Sequence, residues 1–297
     1  MSQTQIERVE LGELTCWRVH NGDAELLVAQ QGAQVLHYQH GNHPPLIWLS
    51  DEAGYQSGQS VRGGIPVCWP WFGDLRRNAV RAMHQQVDSA PAHGGVRGLD
   101  WRLLGIDEQD GVVSLEFVFD SSHQPLSDWP HAVELRLTIR LDQHLHLELT
   151  SHNLGTAPVA LSQALHTYFA VSDIQAVNVA GLDGCRYIET LAGWEERTQQ
   201  GELHFSGETD RIYLDTPSRL TIVDSGWQRR IHLDAQGSRS AVVWNPWIDK
   251  AARLSHFADD AWQGMLCIET ANIWDDCITL APGERHRLAL SLWSSAL

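Results

Sequence analysis

Basic residues are scarce: 21 Lys and Arg stand against 37 Asp and Glu, a formal net charge of −16 with histidine neutral. Phosphate backbones are held by clustered cations, so this balance argues against a nucleic-acid partner. Any anionic ligand has to be held by local arginines against a repulsive overall field. Cysteine is sparse as well. Cys16, Cys68, Cys185, Cys267 and Cys277 form an odd set of five without a C-x-x-C pair, which fits reduced packing thiols better than a disulfide framework or a zinc site. No window approaches the roughly 18 apolar residues of a membrane helix. The opening stretch MSQTQIERVELGEL has no basic segment followed by an apolar one, so neither a secretory signal nor a membrane association is expected, and the expected compartment is the cytoplasm. A P-loop, a dinucleotide fingerprint and a G-x-S-x-G nucleophile elbow are all missing, which leaves nucleotide and serine-hydrolase chemistry without support.

What is present is alternation. Val133, Leu135, Leu137, Ile139 and Leu141 interleave with Glu134, Arg136, Thr138 and Arg140, the period of a half-buried strand. After a turn near Asp142 and Gln143, Leu145, Leu147 and Leu149 resume the pattern against His144, His146 and Glu148, so the two runs predict a hairpin. Similar runs occur at 112–119, 219–223, 241–244, 264–270 and 287–293, divided by Gly, Pro, Asp or Asn. Strands at short spacing, without long amphipathic helices between them, predict an all-β fold, a large antiparallel sandwich or barrel, in one continuous domain over 1–297.

Four segments place ionisable side chains where the chain turns or a strand ends. VRGGIPVCWPWFG, residues 61–73, sets Arg62 beside two glycines and stiffens the rest of the stretch with Pro66 and Pro70. Glycine opens conformations closed to other residues and proline fixes its own dihedral, so this is a shaped loop. We expect Gly63 and Gly64 to bend the chain so that Arg62 reaches a cleft, with Trp69 and Trp71 wedged together beneath. PAHGGVRGLDW sets His93 and Arg97 among glycines, and two forked guanidiniums suit bidentate binding of phosphate or carboxylate. LSQALHTYFAV carries His166 in an apolar run, and LCIETANIWDD carries Glu269 at a strand end. Taken singly, an arginine in a glycine-rich loop is commonly a surface charge and a buried histidine commonly structural. Glu269 is the stronger clue, because burying a carboxylate is costly unless it is paired or functional. His144 and His146 have the i, i+2 spacing that turns two imidazoles to one strand face, as some metal sites do, but no third ligand is obvious and no metal is expected.

In their order along the chain, RGGIPVCWPWFG, AHGGVRGLDW, LHTYF, DRIYLD, VVWNPW with Lys250 shortly after, and CIETAN resemble the aldose 1-epimerase superfamily, most closely its hexose-6-phosphate mutarotase branch. The matching stretch runs from Arg62 to Asn272, about two thirds of the chain. The resemblance implies a single galactose-mutarotase-like domain, a large β-sandwich that binds a sugar in a cleft on one face. It implies a cofactor-free isomerase that exchanges the α and β anomers of glucose 6-phosphate, with a small sugar phosphate as its partner and a monomeric chain. It further implies His166 as catalytic acid, Glu269 as catalytic base, Arg62 and Arg97 as phosphate-side ligands, Asp215 as a sugar-hydroxyl ligand and His93 nearby. With ordinary pKa values, about 4.3 for a glutamate and about 6.5 for a histidine, Glu269 is ionised at neutral pH and His166 is able to donate. The rival readings are a mutarotase for unphosphorylated aldoses, which needs no paired arginines, and a non-catalytic carbohydrate-binding protein.

Overall fold

The computed structural model describes residues 4–127 and 129–297. Its organisation follows the alternation in the sequence. In Val133–Leu141 and Leu145–Asn153 the leucine, isoleucine and valine positions are buried while the intervening polar residues face outward. The two strands pair antiparallel with Leu137 opposite Leu149 and Leu141 opposite Leu145, which is the predicted hairpin. It forms part of a nine-stranded sheet. From one edge the order is Leu203–His204, Val177–Ala180, Arg219–Asp224, Arg229–Gln236, Arg285–Ala296, Leu145–Asn153, Val133–Leu141, Val112–Asp120 and Arg102–Gln109.

A second sheet of eight strands runs Glu195–Thr198, Arg186–Glu189, Thr209–Leu214, Ser240–Asn245, Met265–Asn272, Gln163–Leu165 and Val67–Cys68, with Tyr168–Ala170 also paired to Met265–Asn272. Neighbours in both sheets are antiparallel throughout. A continuous cluster of buried apolar side chains takes members from each, among them Leu149 and Leu290 from the first and Tyr213, Val243 and Ile268 from the second. Two sheets sharing one apolar filling make a β-sandwich. The strands read at 112–119, 219–223, 241–244, 264–270 and 287–293 are all present.

Two features did not stand out in the sequence. Gln5–Leu11, Leu14–Asn21, Ala24–Ala29 and Val35–His40 form a four-stranded meander. It is tied to the end of the 133–153 hairpin by Asn21 Nδ2, which donates to the Leu141 carbonyl at 2.8 Å, and by the Tyr38 hydroxyl, which donates to the Gln143 carbonyl at 3.3 Å. The other is the fate of the two tryptophans in the 61–73 loop. They do not sit together beneath it. Trp69 is fully buried in the main cluster, edge-on to Trp129 at 4.8 Å, whereas Trp71 joins Leu75 and Val80 in a separate small cluster and donates its Nε1 proton to the Pro91 carbonyl.

The loop itself is held by backbone pairing. Gly64 N–H donates to the Trp48 carbonyl and Ile65 N–H to the Val35 carbonyl, both at 2.8 Å. Gly64 has φ of 73° and Gly94 φ of 79°, and a Cβ at either would overlap the carbonyl of Val35 or of Trp69 respectively. Only glycine fits both the left-handed dihedral and the close backbone approach. Gly64→Ala and Gly94→Ala are therefore expected to lower stability by at least about 1 kcal/mol each, whereas Gly207→Ala, which meets open space, stays within about 0.5 kcal/mol of the parent. Urea denaturation midpoints measure the difference.

Candidate active site

The eight-stranded sheet presents one face to the sandwich filling and the other to a cavity of about 710 Å³, a size suited to a small organic ligand. Strand parity decides which residues line it. Asp210 lies opposite Trp244, and Ile212 opposite Val242, which in turn lies opposite Glu269. All five face the cavity, because side chains two apart on a strand share a face.

Glu269 is placed by the Met265–Asn272 strand, every residue of which is buried. Its carboxylate is only 2% exposed. His166 comes from the short crossing segment between Gln163–Leu165 and Tyr168–Ala170, both of which pair with that same strand. The glycine- and proline-rich loop fixes this crossing from the other side: His166 N–H donates to the Pro66 carbonyl at 3.0 Å and Tyr168 N–H to the Gly64 carbonyl at 2.9 Å. The Tyr168 ring then stacks on the imidazole, with centroids 4.8 Å apart and planes 8° from parallel. The result brings His166 Nε2 to 3.4 Å from Glu269 Oε2. Nδ1 of His166 and Oε2 of Glu269 have no hydrogen-bond partner in the protein, so both retain capacity for a ligand.

Burial dominates the electrostatics of the pair. It pushes the Glu269 carboxyl well above its ordinary range, helped by the negative charge of Asp210 and opposed by Arg97. It also pushes the His166 imidazole well below its ordinary value, in the same direction as the nearby His93, Arg97 and Arg62. The ordinary pKa values expected from the sequence therefore do not apply. Burial disfavours the charged form of both groups.

His93 faces His166 with ring centroids 5.5 Å apart. Its backbone has φ of 63°, and its Nδ1 accepts from Gly73 N–H at 3.4 Å, which leaves the proton of the neutral ring on Nε2. Burial, with the charges of Arg97, Arg62 and Lys250, lowers its pKa to about 3. Arg62 reaches the cavity, as expected, and hydrogen-bonds the Tyr168 hydroxyl. Arg97 lines the cavity too; one of its amino groups donates to the Ala92 carbonyl at 2.8 Å while its buried Nε has no partner.

Asp215 is the exception. It lies beyond the end of Thr209–Leu214, exposed, and is ion-paired to Arg186 at 3.1 Å and Arg239 at 3.3 Å; it does not line the cavity. It follows the last strand residue with a left-handed backbone, φ of 51°, so the alternation that turns Asp210 to the cavity does not extend to it. Asp210, the first residue of the same DRIYLD segment, lines the cavity in its place, with its pKa raised by burial against the opposing charge of Lys250.

Sequence reasoning also passed over several lining residues. Arg77 and Arg81 come from the 3-10 turns that follow the loop, and the Arg77 guanidinium lies 4.9 Å over the Trp194 ring. Trp194 stacks on Trp274 with planes 16° apart. Lys250, named in the sequence only as following VVWNPW, lies on the short α-helix Trp247–Ala251, 3.3 Å from Glu208 and 3.9 Å from Asp210. One signal was available: Lys250 is the only lysine in the chain. Arg62, Arg77, Arg81, Arg97 and Lys250 give the cavity five cationic side chains, beside the acidic Asp74, Asp210, Glu269 and Asp275.

Comparison with known proteins agrees with this geometry. Over 272 residues the chain is 34% identical to a protein of Cenchrus ciliaris named "Putative glucose-6-phosphate 1-epimerase", a match covering 88% of this chain and 79% of that one. A protein of the same name from Escherichia coli K12 is 32% identical over 267 residues, 90% of this chain and 86% of that one. The crystal structure of the YeaD protein of Salmonella typhimurium, described as a "putative mutarotase", has a TM-score of 0.89 and 29% identity over 98% of this chain and 94% of that one. A galactose mutarotase-like protein from Clostridium acetobutylicum, at 16% identity and a TM-score of 0.72 over 99% of each chain, shares the fold. The aldose 1-epimerase family model matches residues 15–293, a span that holds every cavity residue named above, and the chain is a member of that family.

Proposed function

We propose that the cavity interconverts the α and β anomers of a hexose 6-phosphate, D-glucose 6-phosphate foremost, by acid-base ring opening and closure. One observation carries the reading: a buried carboxyl and imidazole 3.4 Å apart at the floor of a pocket lined by five cationic side chains. The names borne by relatives at 30% identity or more point to the same substrate.

Anomer exchange needs one proton removed from the C1 hydroxyl and one delivered to the ring oxygen. As the O1–H bond breaks, its electrons form the C1 carbonyl and the C1–O5 bond breaks in turn. Rotation about C1–C2 and the reverse steps give the other anomer. Glu269 and His166, holding one proton between them, supply one acceptor and one donor, which is what each direction requires. When the sugar lies against the pair, with O5 towards His166 and O1 towards Glu269, the proton resides on His166 and is delivered to O5, while Glu269 as carboxylate receives the proton of O1. Each positioned transfer contributes roughly 10²- to 10⁴-fold. His93 Nε2–H is a fixed neutral donor beside the pair, able to hold a sugar oxygen without adding charge. The cations act on the far end of the substrate: a phosphate bound by Arg62 and Arg97 fixes the position of C1, and binding energy gained away from the reacting centre orients it. Tyr168, stacked on His166 and bonded to Arg62, links the two halves of the site.

Exchange spectroscopy by NMR on equilibrated anomers is expected to give a much larger acceleration for glucose 6-phosphate than for glucose. Equal acceleration of both sugars contradicts the phosphate assignment. Arg62→Ala and Arg97→Ala are expected to raise KM for the phosphorylated sugar about tenfold or more, each removing a charge-assisted hydrogen bond of about 1.5–3 kcal/mol; unchanged values remove these residues from the binding site.

The buried carboxyl also has a cost that pH reveals. A raised folded-state pKa means that the native protein binds more protons than the unfolded chain above the ordinary value of 4.5, so Glu269 makes stability fall as pH rises through that window. Glu269→Gln cannot ionise. Its thermal midpoint is expected to exceed that of the parent at pH 8, with the gap closing as pH falls towards the ordinary carboxylate value. A parent more stable than the variant at pH 8 contradicts the protonation state assigned to the pair.

A further inference from the structure

Away from the cavity, the turn of the 133–153 hairpin gathers a second polar cluster that anomer exchange does not use. Asp142, His144 and His146 each offer a ligand atom, and the three atoms lie within 4.8 Å of one another. Asp142 is the third ligand that sequence spacing alone did not reveal: it precedes the strand and is brought round by the turn.

The cluster is held in place by its neighbours. The Asp142 carboxylate accepts from the backbone N–H of His144 at 2.6 Å, which orients it towards the two rings. His146 is bonded through Nδ1 to the Ser291 hydroxyl at 2.8 Å, on the strand paired beside it, and this turns its Nε2 to 3.3 Å from Asp142 Oδ1. The His144 ring stacks on Trp293, 5.0 Å away with planes 24° apart, and His232 stacks on the same indole at 5.1 Å. Among the described residues, no side chain or backbone group hydrogen-bonds the ring nitrogens of His144. All three ligands are half-buried, so a cation there keeps contact with solvent.

We propose that Asp142, His144 and His146 form a binding site for a borderline divalent transition-metal ion, Zn²⁺ in particular, with water in the remaining position. Two imidazoles and one carboxylate are the ligand chemistry of zinc, copper and nickel rather than of calcium or magnesium, which take oxygen ligands. With metal–ligand bonds of about 2.0–2.2 Å, two ligands of a tetrahedral zinc lie about 3.3–3.5 Å apart, which the His146 to Asp142 separation of 3.3 Å matches. The Ser291 hydroxyl stands to His146 as second-layer groups stand to metal-bound histidines, fixing the ring and its tautomer. The acidic protein as a whole, at −16, favours the approach of a dication. A bound ion would clip the turn to the head of the following strand, on the nine-stranded sheet rather than on the one that carries the sugar cavity.

Isothermal titration of the full chain with Zn²⁺ near neutral pH tests this directly. One equivalent is expected for the parent chain, and none for the His144→Ala, His146→Ala double variant. Asp142→Asn and Ser291→Ala are expected to weaken binding about tenfold or more. Titration with Cu²⁺ is expected to quench part of the tryptophan fluorescence, and Trp293→Phe to remove that quenched component while the one-equivalent stoichiometry remains. Failure of the parent chain to bind Zn²⁺, or binding by the double variant with the affinity of the parent, overturns the proposal. Neither result bears on anomer exchange, whose residues line the cavity on the eight-stranded sheet.

Discussion

The desolvation of one carboxyl group governs the site. Glu269 sits on a strand buried along its whole length, and a charge in that position is expensive unless something compensates it. Burial instead favours the neutral carboxyl, beside the imidazole of His166, which is disfavoured as a cation by the same burial. Neither group would be well placed alone. In the proposed mechanism they share one mobile proton between two sites, so the energetic cost of burial becomes the means of moving a proton in either direction. The rest of the local architecture keeps these two groups in register: the crossing segment pairs with the strand that carries Glu269, and the loop at residues 63–66 accepts the backbone N–H of His166.

A second constraint is charge. The protein carries an excess of acids, yet the cavity collects five cations from distant parts of the chain, brought in by the two glycine-rich loops, by the 3-10 turns between them and by the short helix Trp247–Ala251. A cationic pocket in an acidic field concentrates its attraction at one place, where the field of the surrounding surface is opposed locally. Three of these cations, Arg97, Arg62 and Lys250, also lower the pKa of His93, so the cationic side of the cavity and the side that holds His166 and Glu269 are electrostatically joined.

Much of this was legible in the sequence, for identifiable reasons. The 133–153 hairpin declared itself because its buried positions alternate without a break, and Glu269 because an acidic residue in an apolar strand is costly, although the strand expected to end there continues to Asn272. The N-terminal meander was less visible: Gln5–Leu11 is mostly exposed, so its residues carry little alternation to read. Asp215 and Asp210 belong to one segment, and only the strand ends, which fix the parity, tell which of them turns to the cavity. Trp69 and Trp71 were expected on one side and entered different clusters, a matter of loop path that local spacing does not encode. The protonation of Glu269 and His166 lay outside sequence reasoning altogether, since it depends on burial created by residues about a hundred positions apart.

The shared proton is the central claim, and rate measurement on conservative variants addresses it most directly. NMR exchange spectroscopy with glucose 6-phosphate on Glu269→Gln and His166→Asn, alongside direct measurement of sugar-phosphate binding, separates proton transfer from recognition. A fall in exchange rate of roughly 10²- to 10⁴-fold is expected for each variant, with binding largely kept. Exchange at the parental rate in either variant would contradict a proton shared between the two groups.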